Sequence, residues 1–254
     1  MKAIPLLIVT LSQLALATTW SAVVTYQEGG SNAFVTNYAG TSDTFLASNV
    51  SDTNYGGEQF LLVGRNEQRF TILRFDLSSL TGEYESITSA SLTLTRTGTA
   101  TALDFDINIY SILSTNGGWD EMEATWVNQD KSSSTPWQNA AGEDQGNFMG
   151  ARGELLQTIS YTTTTDSITV NIPISMVLEW ITNPAAAGGL ALIPSGSSGS
   201  STYSAYLGSS EVATASSRPL LTVNYAPIPE PSSILMSMGG LGFLVLVYRK
   251  RLRV

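Results

Sequence analysis

The chain has 254 residues, of which 12 are basic and 21 acidic, for a net charge of −9, and it contains neither cysteine nor histidine. Those absences exclude disulfides, thiol chemistry, histidine general bases and the commonest transition-metal ligand. The acidic balance excludes the basic footprint that a phosphate backbone requires, so nucleic acid is not an expected partner. Thr, Ser and Gly between short β-branched runs point to an extracellular all-β protein with one core of roughly two hundred residues.

Lys2, an apolar run from Ile4 to Leu16 and the small-x-small stretch Ala15-Leu16-Ala17 read as a signal peptide over residues 1–17, cut by signal peptidase. The run is too short and interrupted for a comfortable span. Residues 18–40 are expected to hold a linker around Gly29 to Asn32 and an entering strand over Phe34 to Tyr38. The body is then 41–225. Asp43 to Ser48 is extended, and Asn49 to Gly57 is a loop rich in turn formers. Phe60 to Gly64 is expected to form a hairpin with the strand that opens at Arg69.

That strand organises the body. Alternation places Leu73, Phe75 and Leu77 on one face and Phe70, Ile72, Arg74 and Asp76 on the other, so the second face is either covered by another element or open to a ligand. Further strands follow over Ile87 to Leu94, Phe105 to Tyr110, Leu155 to Thr163, Ser167 to Ile172, Gly189 to Ile193, Ser201 to Leu207 and Pro219 to Tyr225. Lys131 to Arg152 reads as a long surface excursion, and Ser195 to Ser200 as a loose loop. Pro173 opens one short helix, with Ile174, Val177, Leu178 and Ile181 at helical spacing and a stop at Asn183-Pro184; it is expected against the edge of the sheets. The pattern predicts a two-sheet antiparallel β-sandwich of jelly-roll type with one short helix, plus a C-terminal hydrophobic helix.

The tail, residues 226–254, has three parts. Pro229-Glu230-Pro231 is a stiff spacer, 234–248 is an apolar helix candidate of fifteen residues, and Arg249-Lys250-Arg251 lie in the basic end 249–253. Together they resemble the PEP-CTERM sorting signal of Gram-negative bacteria. The resemblance implies transient anchoring in the inner membrane, removal of the tail by an exosortase, and delivery to the cell surface or an extracellular polysaccharide matrix. A plain single-pass anchor is the other reading of the segment. Loss of both ends would remove five of the basic residues and one acid, leaving seven against twenty, a net charge of −13.

Dispersed motifs across Thr41 to Tyr225 carry a second resemblance. Asp43-Thr44-Phe45-Leu46, Asn54-Tyr55-Gly56, Leu62-Val63-Gly64, Leu73 to Leu80, Ile87 to Leu94, Trp119-Asp120-Glu121, Thr125-Trp126-Val127-Asn128 and Arg218 to Tyr225 are similar to the DNRLRE domain, also described as the family 96 carbohydrate-binding module. The chain departs from that family in Thr44 to Ser48, where polar and charged residues are replaced. The resemblance implies a secreted, non-catalytic protein whose partner is a polysaccharide.

Sugar recognition needs flat aromatic surface and planar hydrogen-bonding groups. The ligand-binding candidates are Arg74, Trp119, Trp137, Tyr203, Tyr206 and Arg218, with Trp137 expected to be the exposed platform and Trp126 a core residue. Arg74 either forks onto a uronate carboxylate or pairs with Asp76 or Glu211. Asp104, Asp106, Asp120 and Glu121 are candidate ligands for a structural calcium, though none has calcium-loop spacing. No catalytic residues stand out. A matrix or adhesion protein without specific glycan binding is the alternative function, and a polysaccharide lyase or hydrolase the minor one.

Overall fold

The computed structural model describes residues 21–64, 69–99, 104–195 and 203–228. The expected signal peptide, the sorting tail and most of the Ser195 to Ser200 loop lie outside the described residues. Thirteen strands and one α-helix follow in chain order: β1 (Ala22–Tyr26), β2 (Thr41–Ala47), β3 (Phe60–Gly64), β4 (Arg69–Phe75), β5 (Tyr84–Thr95), β6 (Phe105–Ile112), β7 (Asn128–Asp130), β8 (Thr135–Pro136), β9 (Arg152–Tyr161), β10 (Ser167–Ile172), α1 (Ile174–Thr182), β11 (Leu190–Ser195), β12 (Ser204–Gly208) and β13 (Leu220–Pro227). Among the described residues no helix is long and apolar enough to cross a membrane.

Two antiparallel sheets face each other. The smaller has the order β1-β13-β5-β10, and the larger runs β12-β3-β4-β11-β6-β9 with β2 added on β4. Leu73 and Phe75 of β4, Ile107 and Ile109 of β6 and Leu190 and Leu192 of β11 meet Leu92, Leu94, Val170 and Val223 of the smaller sheet in the main core. Period-two alternation selects these residues, and each buried aliphatic side chain contributes about 1.5–3 kcal/mol of transfer free energy.

Two expectations change. The segment Phe34 to Tyr38 is not a strand: Gly29 N donates to Tyr38 O at 2.7 Å and Asn37 has φ 53°, which closes a loop. The entering strand is β1, on the edge of the smaller sheet beside β13. β3 and β4 pair antiparallel at Gly64–Arg69, as expected for consecutive strands, while β3 is also zipped to β12 over five residues and β4 takes β2 and β11 as further partners. The helix does not rest on an edge but plugs the core. Val177, Trp180 and Ile181 are buried there, with the Trp180 ring 5.6 Å from Phe75, whereas Ile174 is exposed.

The outer face of the larger sheet is covered. Phe70 and Ile72 of β4, Leu46 of β2 and Ile193 of β11 form a second core with Trp119, Trp137 and Phe148 from the connection between β6 and β9. The excursion from Lys131 to Arg152 therefore runs over the surface but is anchored to the sheet through buried Trp137, Phe148 and Ala151. Its polar residues serve its own turns, as where Asn139 Oδ1 accepts from Ala141 N and Glu143 N at 2.9 and 3.0 Å.

Candidate functional site

Where the packed layer stops short of the sheet edge it leaves a cleft of about 430 Å3. Its floor is Phe70, Asn108, Tyr110 and Ile193, which alternation turns to the outer face of β4, β6 and β11. Its walls include Trp126, Met149 and Arg152 from the covering layer, with Ser48 and Ser195 at the rim. The Trp126 ring is half-buried and stacks on Phe70 at 5.0 Å with an interplanar angle of 23°. The Arg152 guanidinium lies 5.2 Å over the Tyr110 ring, and its Nε donates to Met149 O at 3.1 Å. Stacking fixes the rings and the fork at little further entropic cost to a ligand.

A smaller cleft of about 190 Å3 lies over β3 and β12, between Phe45, Tyr55, Phe60 and Tyr206. Phe45 stacks on Tyr55 at 4.1 Å and on Phe60 at 5.7 Å, and Phe60 meets Tyr206 at 5.4 Å. Arg69 lines it and bonds Asn49 Oδ1.

Of the six ligand candidates, only Tyr206 lines either cleft. Trp119 and Trp137 are fully buried and donate their indole N–H groups at 2.8 Å to Gly188 O and Thr125 O. Trp137 was the expected platform, and the correction has a plain cause: Phe148 and Thr125 wrap it because the excursion folds onto the sheet. Tyr203 is 3% exposed and packs on Phe105 at 4.7 Å. Trp126, expected in the core, is the ring that the cleft uses.

Arg74 pairs with neither Asp76 nor Glu211. Its guanidinium donates to Gly117 O, to Trp119 O at 2.9 Å and to Ala187 O at 3.2 Å, and it covers the Trp119 ring at 4.9 Å. Burial lowers its pKa against the pull of Asp120, Glu121 and Asp76. It fastens the covering layer to the turn before β11. Arg218 is likewise turned inward, donating to Val212 O and Glu28 O at 2.9 Å.

The acidic candidates separate. Asp104 accepts from Thr163 N and Asp106 from Ser160 Oγ, both across to the β9 region, while Asp120 accepts locally from Met122 N. Glu121 instead joins Asp43 and Glu211, two residues the sequence did not single out for a metal. Burial first, then neighbouring acids, raise Glu121 to about 8 and Asp43 well above the usual carboxylate range. Glu121 is placed by the Asn54-Tyr55-Gly56 stretch: Asn54 Nδ2 donates to Glu121 O and Ala124 O at 2.8 Å, and a Cβ on Gly56 would stand 2.2 Å from Glu121 O.

The fold is a two-sheet β-sandwich with rings, an arginine fork and an amide lining an open cleft on one sheet. Residues 35–149 match carbohydrate-binding module family 96, and residues 227–251 match the PEP-CTERM protein-sorting motif. The chain thus carries a stretch that matches the family 96 carbohydrate-binding module and a C-terminal PEP-CTERM signal. The first match points to carbohydrate binding, and the second to export and exosortase-mediated sorting in Gram-negative bacteria. No curated protein matches the chain. The strands after residue 149 complete the same two sheets, with β13 between β1 and β5, so the sandwich continues to Pro227.

Proposed function

We propose that the protein is a non-catalytic glycan-binding module, cut by signal peptidase after Ala17 and relieved of its tail by an exosortase, which acts at the cell surface or in the extracellular matrix. The cleft over β4, β6 and β11 takes the sugar. The observation that carries this reading is the convergence of Trp126, Tyr110, Arg152 and Asn108 on one open cleft. Rings supply the flat surface for the C–H face of a pyranose, and the guanidinium and amide supply planar donors for hydroxyls.

Charge favours a neutral or sparsely charged polysaccharide. Among the described residues that line the larger cleft, Arg152 is the one cation. A body of net charge −13 repels a polyanion beyond the reach of one arginine.

Affinity electrophoresis of the purified full chain against a panel of neutral and uronate polysaccharides tests the reading. The expected result is retardation by at least one glycan, lost at least tenfold in Trp126→Ala with the circular dichroism spectrum unchanged. A folded protein that no glycan retards would put the matrix or adhesion reading in its place.

A further inference from the structure

Away from the cleft the described residues hold one group of three converging carboxylates, and we propose that it binds a calcium ion that fastens the covering layer to the larger sheet. Asp43 comes from β2, Glu121 from the turn after Trp119, and Glu211 from the connection between β12 and β13. Each offers a carboxylate oxygen, and the three oxygens lie within 4.8 Å of one another. Two oxygens on one calcium at about 2.4 Å stand at most about 4.8 Å apart, so the spacing suits a shared ion.

Unmet hydrogen bonding is the independent observation. Asp43 is 1% exposed; its Oδ2 accepts from Ser210 N at 2.9 Å, while its Oδ1 is buried without a partner. Glu211 repeats the pattern, with Oε1 accepting from Ser210 Oγ at 2.7 Å and Oε2 buried without a partner. A buried carboxylate oxygen with neither donor nor counterion is costly, and no ion pair among the described residues involves any of the three acids. A cation supplies what the protein omits. The donors are oxygen alone, which selects a hard ion.

The ion would join three segments far apart in sequence. Asp43 N already donates to Glu121 Oε1 at 2.7 Å, across 78 residues, so the site closes on a contact that exists. Its effect at the cleft is indirect: the turn that carries Glu121 leads directly into Trp126.

Isothermal titration of the purified full chain with calcium chloride, and its thermal unfolding in chelator and in calcium, test the proposal. Calcium at about 100 times Kd is expected to raise Tm by roughly 5–10 °C. Asp43→Asn and Glu211→Gln are each expected to weaken calcium at least tenfold and to abolish the rise. Asp43→Asn should keep or raise Tm in chelator, because it removes one of three crowded charges. Should that variant not fold, Glu211→Gln, on the outer side of the group, gives the answer. A folded wild type with no binding heat and no change in Tm would overturn the proposal in favour of a proton shared between Asp43 and its neighbours. An undiminished rise in both variants would overturn it by placing the ion elsewhere.

Discussion

Replacing Arg74 by Met keeps most of the buried stem and removes the fork. The carbonyls of Gly117, Trp119 and Ala187 then lose their guanidinium donor, and the Trp119 ring loses the cation above it. Hydrogen bonds from a charged donor contribute about 1.5–3 kcal/mol each, and a buried carbonyl left without a donor costs about 1–3 kcal/mol. Offsetting that, the buried guanidinium itself costs energy to desolvate, so the net loss is on the order of 3–5 kcal/mol. Such a loss is a large part of the 5–15 kcal/mol typical of a domain. Arg74→Lys retains the charge but reaches fewer of the carbonyls, and about half of the loss is expected there. Urea unfolding followed by tryptophan fluorescence measures both. An unfolding free energy for Arg74→Met within 1 kcal/mol of wild type would refute the assignment of Arg74 to the fold, as would an intact stability accompanied by lost glycan retardation.

Two other outcomes follow from the carboxylate group and its support. Gly56→Ala places a methyl 2.2 Å from Glu121 O, so the loop must withdraw; lower stability and a calcium affinity reduced at least tenfold are expected by unfolding and titration, and wild-type values for both would contradict that contact. In chelator, Glu121 has a folded pKa near 8, above its ordinary 4.5, so its contribution to stability is present below about pH 4.5 and is lost as pH rises through 8. Tm is therefore expected to fall between pH 5 and pH 8 in chelator, with a shallower fall in Glu121→Gln; a flat or rising profile in the wild type would count against the burial of that carboxyl.

The sandwich was legible because its information is local. Period-two alternation in β6 and β10 marks the inward residues, and Pro173 and Asn183 bracket α1 at its observed ends. Pairing was less legible. The short turn between β3 and β4 marks their antiparallel pairing, but β3 also finds its register with β12, more than 130 residues away, where Tyr206 and Leu62 share a face with Phe60. Nothing in either segment alone carries that information.

The same limit explains why the aromatic residues were sorted wrongly. A Trp in a polar segment is exposed only if the segment stays at the surface, and the segment around Trp137 is held down by contacts made elsewhere: Arg74 on the Trp119 carbonyl, Asn54 on Ala124, and Phe148 against the indole itself. Those contacts bury Trp119 and Trp137 and leave Trp126, one ring of the same layer, at its margin above Phe70. The stretch from Trp119 to Asn128 therefore helps to roof the outer face of the sheet, and the cleft lies where that roof ends. Residues that line such a margin come from the sheet (Asn108, Tyr110) and from the roof (Trp126, Arg152) alike, so no single stretch of sequence contains the cleft. Tilting the roof would change the cleft without altering any residue in it, and the Asp43, Glu121 and Glu211 carboxylates hold one of the roof's attachments.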